Sequence, residues 1–304
     1  ACAAPGGCGR PRPDRLVSAM EAPATPRRKW KADSWSLRAQ LLAMCAVVAA
    51  PLAVFVGYDF YRSAEEERWQ AGRAAFTLAE IAARDTDRFL LFARTTLETL
   101  ADRPAVRALD PGACESVLRD VVMFAPRVSN VVVVDAEGRL ACSVHPPAAG
   151  PAPRVDPGLW LAGARESGGF TVGGPAQDFV TGRWTVSLAQ PLRDDRGGFK
   201  GAVALSTDLE RYQVLPPGPK PHDDSVVSLA TLAGQGLARS GGADGFSGSD
   251  LHALPAFRRV VSGMEGPVQD LGEDGVRRVF GFARVEQADW VAYAGIPAES
   301  VFAG

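Results

Sequence analysis

The chain has 304 residues, of which 33 are lysine or arginine and 35 are aspartate or glutamate, so its formal net charge is −2 at pH 7. This length is enough for one large domain or two small ones. Because no basic patch lies outside the N-terminal tail, nucleic acid is excluded as an expected partner. That tail, residues 1–37, is rich in glycine, proline and arginine and is predicted to be a disordered cytoplasmic segment.

An uncharged apolar run at residues 41–58 predicts a transmembrane helix over residues 38–58. Basic residues precede this run and acidic residues follow it, namely Arg27, Arg28, Lys29, Lys31 and Arg38 before it and Asp59, Glu65, Glu66 and Glu67 after it. We therefore expect a helix in the lipid bilayer, a cytoplasmic N-terminus, and residues 59–304 on the opposite side of the membrane. A cleaved signal peptide is the alternative, although the run exceeds the roughly 7–15 apolar residues of a signal sequence.

Residues 59–103 are predicted to form a long amphipathic helix that continues from the membrane span. They contain no proline and only one glycine, Gly72, and apolar residues recur at helical spacing from Phe76 to Leu100. At 1.5 Å per residue the helix would be roughly 65 Å long. Such a helix usually packs against a partner helix or along a domain, and we expect it to end at Pro104.

The rest of the chain alternates between short helices and β-branched strands, which predicts an α+β fold with antiparallel sheets in two lobes. The first lobe, residues 104–215, has predicted strands at 129–135, 140–144, 170–173, 184–192 and 198–209. Three helices are predicted in this lobe: one begins at Asp110-Pro111, a second covers residues 157–165 and a third covers residues 209–215. A stiff proline-rich linker is predicted at residues 216–221. The second lobe, residues 222–302, has predicted strands at 225–232, 237–240, 275–285 and 290–296 and a helix at 254–261.

Two cysteines, Cys114 and Cys142, fall in the exported part of the chain, whereas Cys45 lies within the predicted membrane span. An even number of cysteines in an oxidising compartment predicts a disulfide between them. The alternative is a pair of unpaired buried thiols.

No pattern in the sequence points to catalysis. The three histidines, His145, His222 and His252, are not spaced with Cys, Asp or Glu as metal ligands would be. Neither a G-x-S-x-G nor a G-x-x-x-x-G-K-[ST] motif occurs. We therefore predict no catalytic residue, metal ion or cofactor in this chain.

Several short motifs occur in an order that is shared with one family of sensor domains. They are Asp110-Pro111 with Cys114, residues 129–138 (SNVVVVDAEG), Cys142-Ser143, residues 182–184 (GRW), 201–209 (GAVALSTDL), 226–240 and 288–292 (ADWVA). Together they resemble the double Cache sensor domain, over about residues 59–302. The resemblance implies two PAS-like lobes, a membrane-distal one at residues 104–215 and a membrane-proximal one at 222–302.

The resemblance also implies a small-molecule ligand in the distal lobe. In amino-acid-sensing members of the family, an Arg and a Trp hold the ligand carboxylate and a later Asp holds the ammonium. Arg183, Trp184 and Asp208 stand at comparable places, and Phe170, Asp178 and Ser187 are further candidates for the wall. Arg183 and Trp184 are adjacent here, so they should point to opposite faces of a strand. The alternatives are a surface charge for Arg183, core packing for Trp184 and a helix cap for Asp208.

The family's layout implies that the chain is the input region of a receptor that continues beyond Gly304. A sensor histidine kinase is the expected parent, with a diguanylate cyclase or a chemoreceptor as alternatives. The resemblance also implies a homodimer along the long helix. A membrane-anchored periplasmic binding protein without an output domain is the rival interpretation.

Overall fold

The computed structural model describes residues 36–145, 154, 160–178, 181–216, 224–241, 245–262 and 268–301. The predicted tail at 1–37, the loop before residue 160, His222 and all but Pro216 of the predicted linker therefore lie mostly or wholly outside the described residues. By internal contacts the chain divides into residues 1–57 and residues 58–304.

Helix α1 runs over Leu37–Ala101 and includes both predicted helical segments. Among the described residues it is the one helix that is long and apolar enough to cross a membrane. Its apolar N-terminal part contains Pro51 and is solvent-exposed in the isolated chain. The predicted end at Pro104 is confirmed within two residues, and a short helix α2 (Pro104–Arg107) follows.

The distal lobe contains a five-stranded antiparallel sheet with strand order β2-β1-β5-β4-β3. Its elements are α3 (Pro111–Phe124), β1 (Asn130–Asp135), β2 (Leu140–Ser143), α4 (Ala162–Ser167), β3 (Thr171–Gln177), β4 (Trp184–Arg193) and β5 (Phe199–Asp208). The Asp110 side chain caps α3 by accepting a hydrogen bond from Gly112 N at 3.1 Å, as its sequence predicts. The predicted helix over residues 209–215 is wrong, because the Asp208 carboxylate accepts the amides of Glu210 and Arg211 and so turns the chain.

The proximal lobe repeats this topology with strand order β7-β6-β10-β9-β8. Its elements are β6 (Val226–Thr231), β7 (Gly236–Arg239), α5 (Pro255–Val261), β8 (Val268–Leu271), β9 (Arg277–Val285), β10 (Trp290–Pro297) and α6 (Ala298–Val301). Strand β8 was not predicted, because it has only four residues and shows no clear alternation of apolar and polar side chains. Two lobes of the same strand order confirm the predicted α+β class.

Each sheet has an inner face that packs on α1 and an outer face that turns away from it. On β1, Val131 and Val133 join the main core with Leu90 and Leu97 of α1, and each buried leucine contributes roughly 2 kcal/mol. The alternate residues Val132 and Val134 pack with Trp160 and Leu161 in a separate cluster on the outer face. Each sheet therefore separates the shared inner core from an apolar cluster of its own on the outer face.

Contact between α1 and the proximal sheet is close enough to require a glycine. A Cβ atom placed on Gly281 of β9 would lie 2.6 Å from Cα of Phe76 in α1. The helix backbone thus rests directly on the strand, with no side chain between them.

Candidate functional site

A cavity of about 680 Å³ opens at one end of the distal sheet. This volume lies in the range of small-molecule sites, roughly 300–1,000 Å³. Strand ends converge there, since Thr185 near the start of β4 pairs with Asp208 at the end of β5. The described wall consists of Val122, Pro126, Arg127, Val128, Ser129, His145, Thr181, Arg183, Thr185, Asp208, Arg211, Tyr212 and Gln213.

Arg183 and Asp208, two of the predicted ligand residues, meet in this wall. Arg183 Nη1 donates to Asp208 Oδ2 at 3.0 Å, and Arg211 Nε lies 3.8 Å from the same oxygen. The other carboxylate oxygen accepts the backbone amides of Glu210 and Arg211 at 3.1 and 3.3 Å. Asp208 is only 6% exposed, whereas about half of the Arg183 side chain faces the cavity or solvent. Asp208 therefore fixes a turn and orients two arginines.

Arg127 is a third arginine in the wall, and it was not predicted from the sequence. Its guanidinium forms an ion pair with Asp85 of α1 at 2.5 Å and lies over the ring of Tyr212, 5.1 Å from the centroid. Tyr212 in turn lies 3.4 Å from Thr86 through its hydroxyl, and its burial raises its pKa. The partners of Arg127 are distant in sequence, so no local pattern could reveal its place.

The described wall carries three arginines and one carboxylate. Asp208 is shared between Arg183 and Arg211, and Arg127 is paired with Asp85 of α1, so one cationic charge is left in excess among the described residues. Neutral polar side chains complete the set, namely Ser129, Thr181, Thr185 and Gln213. Such a wall suits a ligand with at least one anionic group, because guanidinium groups bind carboxylates through paired charge-assisted hydrogen bonds.

Trp184 and Phe170, two further predicted ligand residues, lie away from this wall. The Trp184 indole packs against the proximal lobe, where a Cβ atom on Gly248 would lie 2.7 Å from its Cζ3 atom. Since Arg183 lines the cavity, its neighbour Trp184 points to the other side, as strand alternation requires. Phe170 lines a different groove of about 380 Å³ between the lobes, together with Gln235, Gln287 and Asp289.

Asp178 and Ser187 also lie outside the described wall. Asp178 is buried and accepts hydrogen bonds from the backbone and the hydroxyl of Thr181, both at 2.8 Å. It therefore shapes the turn that leads to Arg183. Ser187 lies on β4 with its hydroxyl 3.5 Å from that of Ser206.

Cys114 and Cys142 are joined by a disulfide, with their Cα atoms 6.3 Å apart. The bond connects α3 to β2, and both residues are buried in the main core. It links two elements that flank the cavity, because α3 leads to Val122 and β2 leads to His145.

No protein-family profile matches the chain, and no curated protein sequence matches it. Solved structures do match. The extracellular domain of the proposed histidine kinase rpHK1S-Z16 aligns with 81% of this chain and 98% of its own length, with a TM-score of 0.54 and 20% identity. The ligand-binding domain of the Pseudomonas aeruginosa PAO1 amino-acid chemoreceptor PctB, in complex with L-Gln, covers 75% of this chain and 92% of its own, with a TM-score of 0.59 and 17% identity.

A third similar structure is the ligand-binding domain of the Pseudomonas fluorescens chemoreceptor CtaA in complex with L-alanine. It covers 73% of this chain and 94% of its own, with a TM-score of 0.57 and 20% identity. At such identities the likeness establishes a shared fold, so the ligand has to be argued from this chain's own side chains.

Proposed function

We propose that this chain, which has the double Cache fold, is the extracytoplasmic sensor region of a bacterial transmembrane receptor. The distal cavity is the proposed ligand site. Of the residues expected from the sequence, Arg183 is proposed to bind the ligand and Asp208 to orient Arg183. The fold is shared with ligand-binding domains of chemoreceptors and with a proposed histidine kinase. These relatives support a role in sensing and signal transduction.

The proposed ligand is a small organic anion. The observation that carries this proposal is the set of three arginines in the wall, Arg127, Arg183 and Arg211, which have two carboxylate partners, Asp85 and Asp208, among the described residues. An amino acid remains compatible only if its ammonium finds a partner other than Asp208, since that carboxylate already holds two arginines and two amides. A carboxylate without an ammonium group fits the single excess positive charge better.

The proposed anchor is the N-terminal part of α1. Its apolar composition and the basic residues before it support insertion into the inner membrane with a cytoplasmic N-terminus. Residues 59–304 would then be periplasmic.

A second copy of the chain is the proposed partner along α1. Beyond residue 58 this helix exposes several large apolar side chains, which are Phe60, Tyr61, Trp69, Phe76, Ile81, Leu91 and Phe92. Exposed apolar surface of this extent on one helix is typical of a protein–protein contact.

A histidine kinase is the proposed parent, and a chemoreceptor is the second candidate because PctB and CtaA share the fold.

The test is a ligand screen on the full chain in detergent micelles, read by thermal unfolding. Ligand at 100 times its Kd should add about 2.7 kcal/mol to the free energy of unfolding. Di- and monocarboxylates, amino acids, amines and purines form the panel. We expect a carboxylate to raise the melting temperature.

Arg183→Ala and Arg211→Ala should each abolish that rise. The unliganded melt should stay unchanged in Arg211→Ala, whose side chain is 75% exposed, and should fall only slightly in Arg183→Ala, which removes a hydrogen bond to the buried Asp208. Arg119→Ala is the matched control, since Arg119 is an exposed arginine of the same lobe that lies outside the described wall. A rise that survives both cavity substitutions, or a rise produced only by amines, would contradict the proposed site or the proposed ligand class.

A further inference from the structure

The proximal lobe contains a cavity of its own. It lies on the outer face, beneath α5, and has a volume of about 20 Å³. That space exceeds the roughly 10–15 Å³ that a single water needs, so it holds only a few non-hydrogen atoms. Most of its surface is apolar, with Phe257, Phe280 and Phe282 in the wall.

A buried arginine supplies the polar end of this cavity. Arg278 is 5% exposed, and its Nη1 atom donates to Asp274 Oδ1 at 2.5 Å. Its Nε–H has no hydrogen-bond partner among the described residues. A buried donor that is left unsatisfied costs about 1–3 kcal/mol, and more when the group is charged. The site therefore holds an unused donor next to an apolar pocket.

Two glycines make room for the Arg278 side chain. A Cβ atom on Gly272 would lie 2.8 Å from Arg278 Nη1, and one on Gly295 would lie 2.7 Å from its Cδ atom. Any larger residue at either position would push the guanidinium away from the cavity. The Arg278 side chain thus occupies space that is available only because Gly272 and Gly295 lack side chains.

The charges around the cavity are balanced before any ligand enters. Arg239 Nη1 lies 3.2 Å from Glu273 Oε2 and its Nη2 lies 3.3 Å from Asp274 Oδ2, while Asp274 also holds Arg278. Tyr293 donates its hydroxyl to Glu273 at 3.4 Å. Burial raises the pKa of Glu273, so this carboxyl takes up a proton more readily than usual and can offset an added negative charge.

We propose that this proximal cavity binds a short-chain monocarboxylate of the size of formate or acetate. The carboxylate would accept the free Nε–H of Arg278, and a methyl group would contact the phenylalanine rings. The small volume excludes an amino acid or a dicarboxylate without movement of α5. The proposal concerns a different lobe from the distal anion site and does not depend on that site's function.

The test uses the full chain in detergent with acetate as the probe and saturation-transfer NMR on the acetate methyl group as the readout. All variants carry Arg183→Ala and Arg211→Ala, so that binding in the distal cavity does not contribute. We expect a methyl signal that is lost on Arg278→Met and on Ala256→Leu, which fills the cavity from α5. Arg258→Ala, on the exposed side of α5, is the control and should keep the signal.

Several outcomes would overturn the proposal. One is the absence of any acetate signal, which would mean that water alone occupies the cavity. Another is a signal that persists in Ala256→Leu; this variant decides the matter if Arg278→Met does not fold. If chloride displaced acetate equally well, the cavity would be a general anion site and not a carboxylate site. None of these results bears on the distal site, whose own test uses Arg183 and Arg211.

Discussion

Asp85 of α1 and Arg127 in the wall of the distal cavity form an ion pair, with 2.5 Å between Oδ2 and Nη2. Two residues further along the same helix, Asp87 accepts the backbone amide of Gln287 from the proximal lobe at 2.9 Å. In addition to its apolar packing, α1 therefore makes a polar contact with each lobe through one carboxylate. A ligand that draws the Arg127 guanidinium toward itself would compete with Asp85, and so would favour one position of α1 over another.

The Asp85–Arg127 pair should contribute measurably to stability, because both side chains are mostly buried. We expect a double-mutant cycle with Asp85→Ala and Arg127→Ala to give a coupling energy of about 1 kcal/mol in urea unfolding. The exposed pair Arg94–Glu98 on the same helix is the control, with an expected coupling of about 0.3 kcal/mol. Equal couplings for the two pairs would show that burial adds nothing at Asp85.

Gly281→Ala should strongly destabilise the protein, because its Cβ atom would meet the backbone of α1 at Phe76. Neither backbone can yield without separating α1 from β9, so we expect a loss of about 2–3 kcal/mol, the usual cost of overpacking. Gly169→Ala is the control, since nothing lies within 4 Å of its added Cβ atom. An unchanged melting temperature for Gly281→Ala would mean that α1 does not rest on β9.

Local sequence patterns were enough to predict the long helix, nine of the ten strands in the described residues and the cap at Asp110. These features depend on neighbours within a few residues, so a single sequence carries them. Strand β8 was missed because its four residues depend on pairing with β9 rather than on a local pattern. The helix predicted over residues 209–215 is wrong because the Asp208 carboxylate accepts two backbone amides and turns the chain.

The cavity was only partly predictable. Arg183 and Asp208 came from a resemblance to a family motif, and the register Thr185↔Asp208 brings them together. Arg127 could not be found, because its position depends on Asp85, which lies 42 residues earlier in the chain. Trp184 packs against Gly248 of the proximal lobe while its neighbour Arg183 lines the cavity. A sequence shows that neighbouring strand residues alternate but not which of them faces the pocket.

The disulfide between Cys114 and Cys142 should stabilise the distal lobe. It closes a loop with a sequence separation of 28, for which chain entropy predicts about 3.6 kcal/mol. We expect the Cys114→Ser, Cys142→Ser double variant to lose about 2–4 kcal/mol and to become insensitive to reductant, whereas the parent chain should lose stability on reduction. Peptide mapping without reductant should find the two cysteines in one linked fragment. Two separate free thiols in that map would contradict the pairing.

The exposed apolar side chains of α1 should hold two copies together. Phe76→Glu combined with Phe92→Glu places charges on this surface, and we expect it to convert a dimer into a monomer in light scattering on the full chain in detergent. Phe124→Glu is the control, because Phe124 is equally apolar and 81% exposed but belongs to α3. A parent chain that is already monomeric would contradict the proposed dimer.

Glu273 and Asp274 are neighbours whose substitutions should have opposite effects on stability. Burial raises the pKa of Glu273, so its ionised form costs free energy at neutral pH, and this cost is lost as pH falls through the folded-state pKa. Hydrogen bonding to Arg278 lowers the pKa of Asp274 to about 2, so its stabilising effect is complete above its ordinary value of 3.8 and is lost only as pH falls toward 2.

We therefore expect Glu273→Gln to be more stable than the parent chain at pH 7, with a difference that shrinks as the pH falls toward 4.5. Asp274→Asn should be less stable by an amount that stays constant across the same interval, because both its folded and unfolded forms remain ionised there. Urea unfolding of the three proteins between pH 7 and pH 4.5 measures both differences. A stability loss in Glu273→Gln at pH 7 would mean that its pairing with Arg239 outweighs the cost of burying the carboxylate, and the acid would then be a structural anchor rather than a group poised to take up a proton.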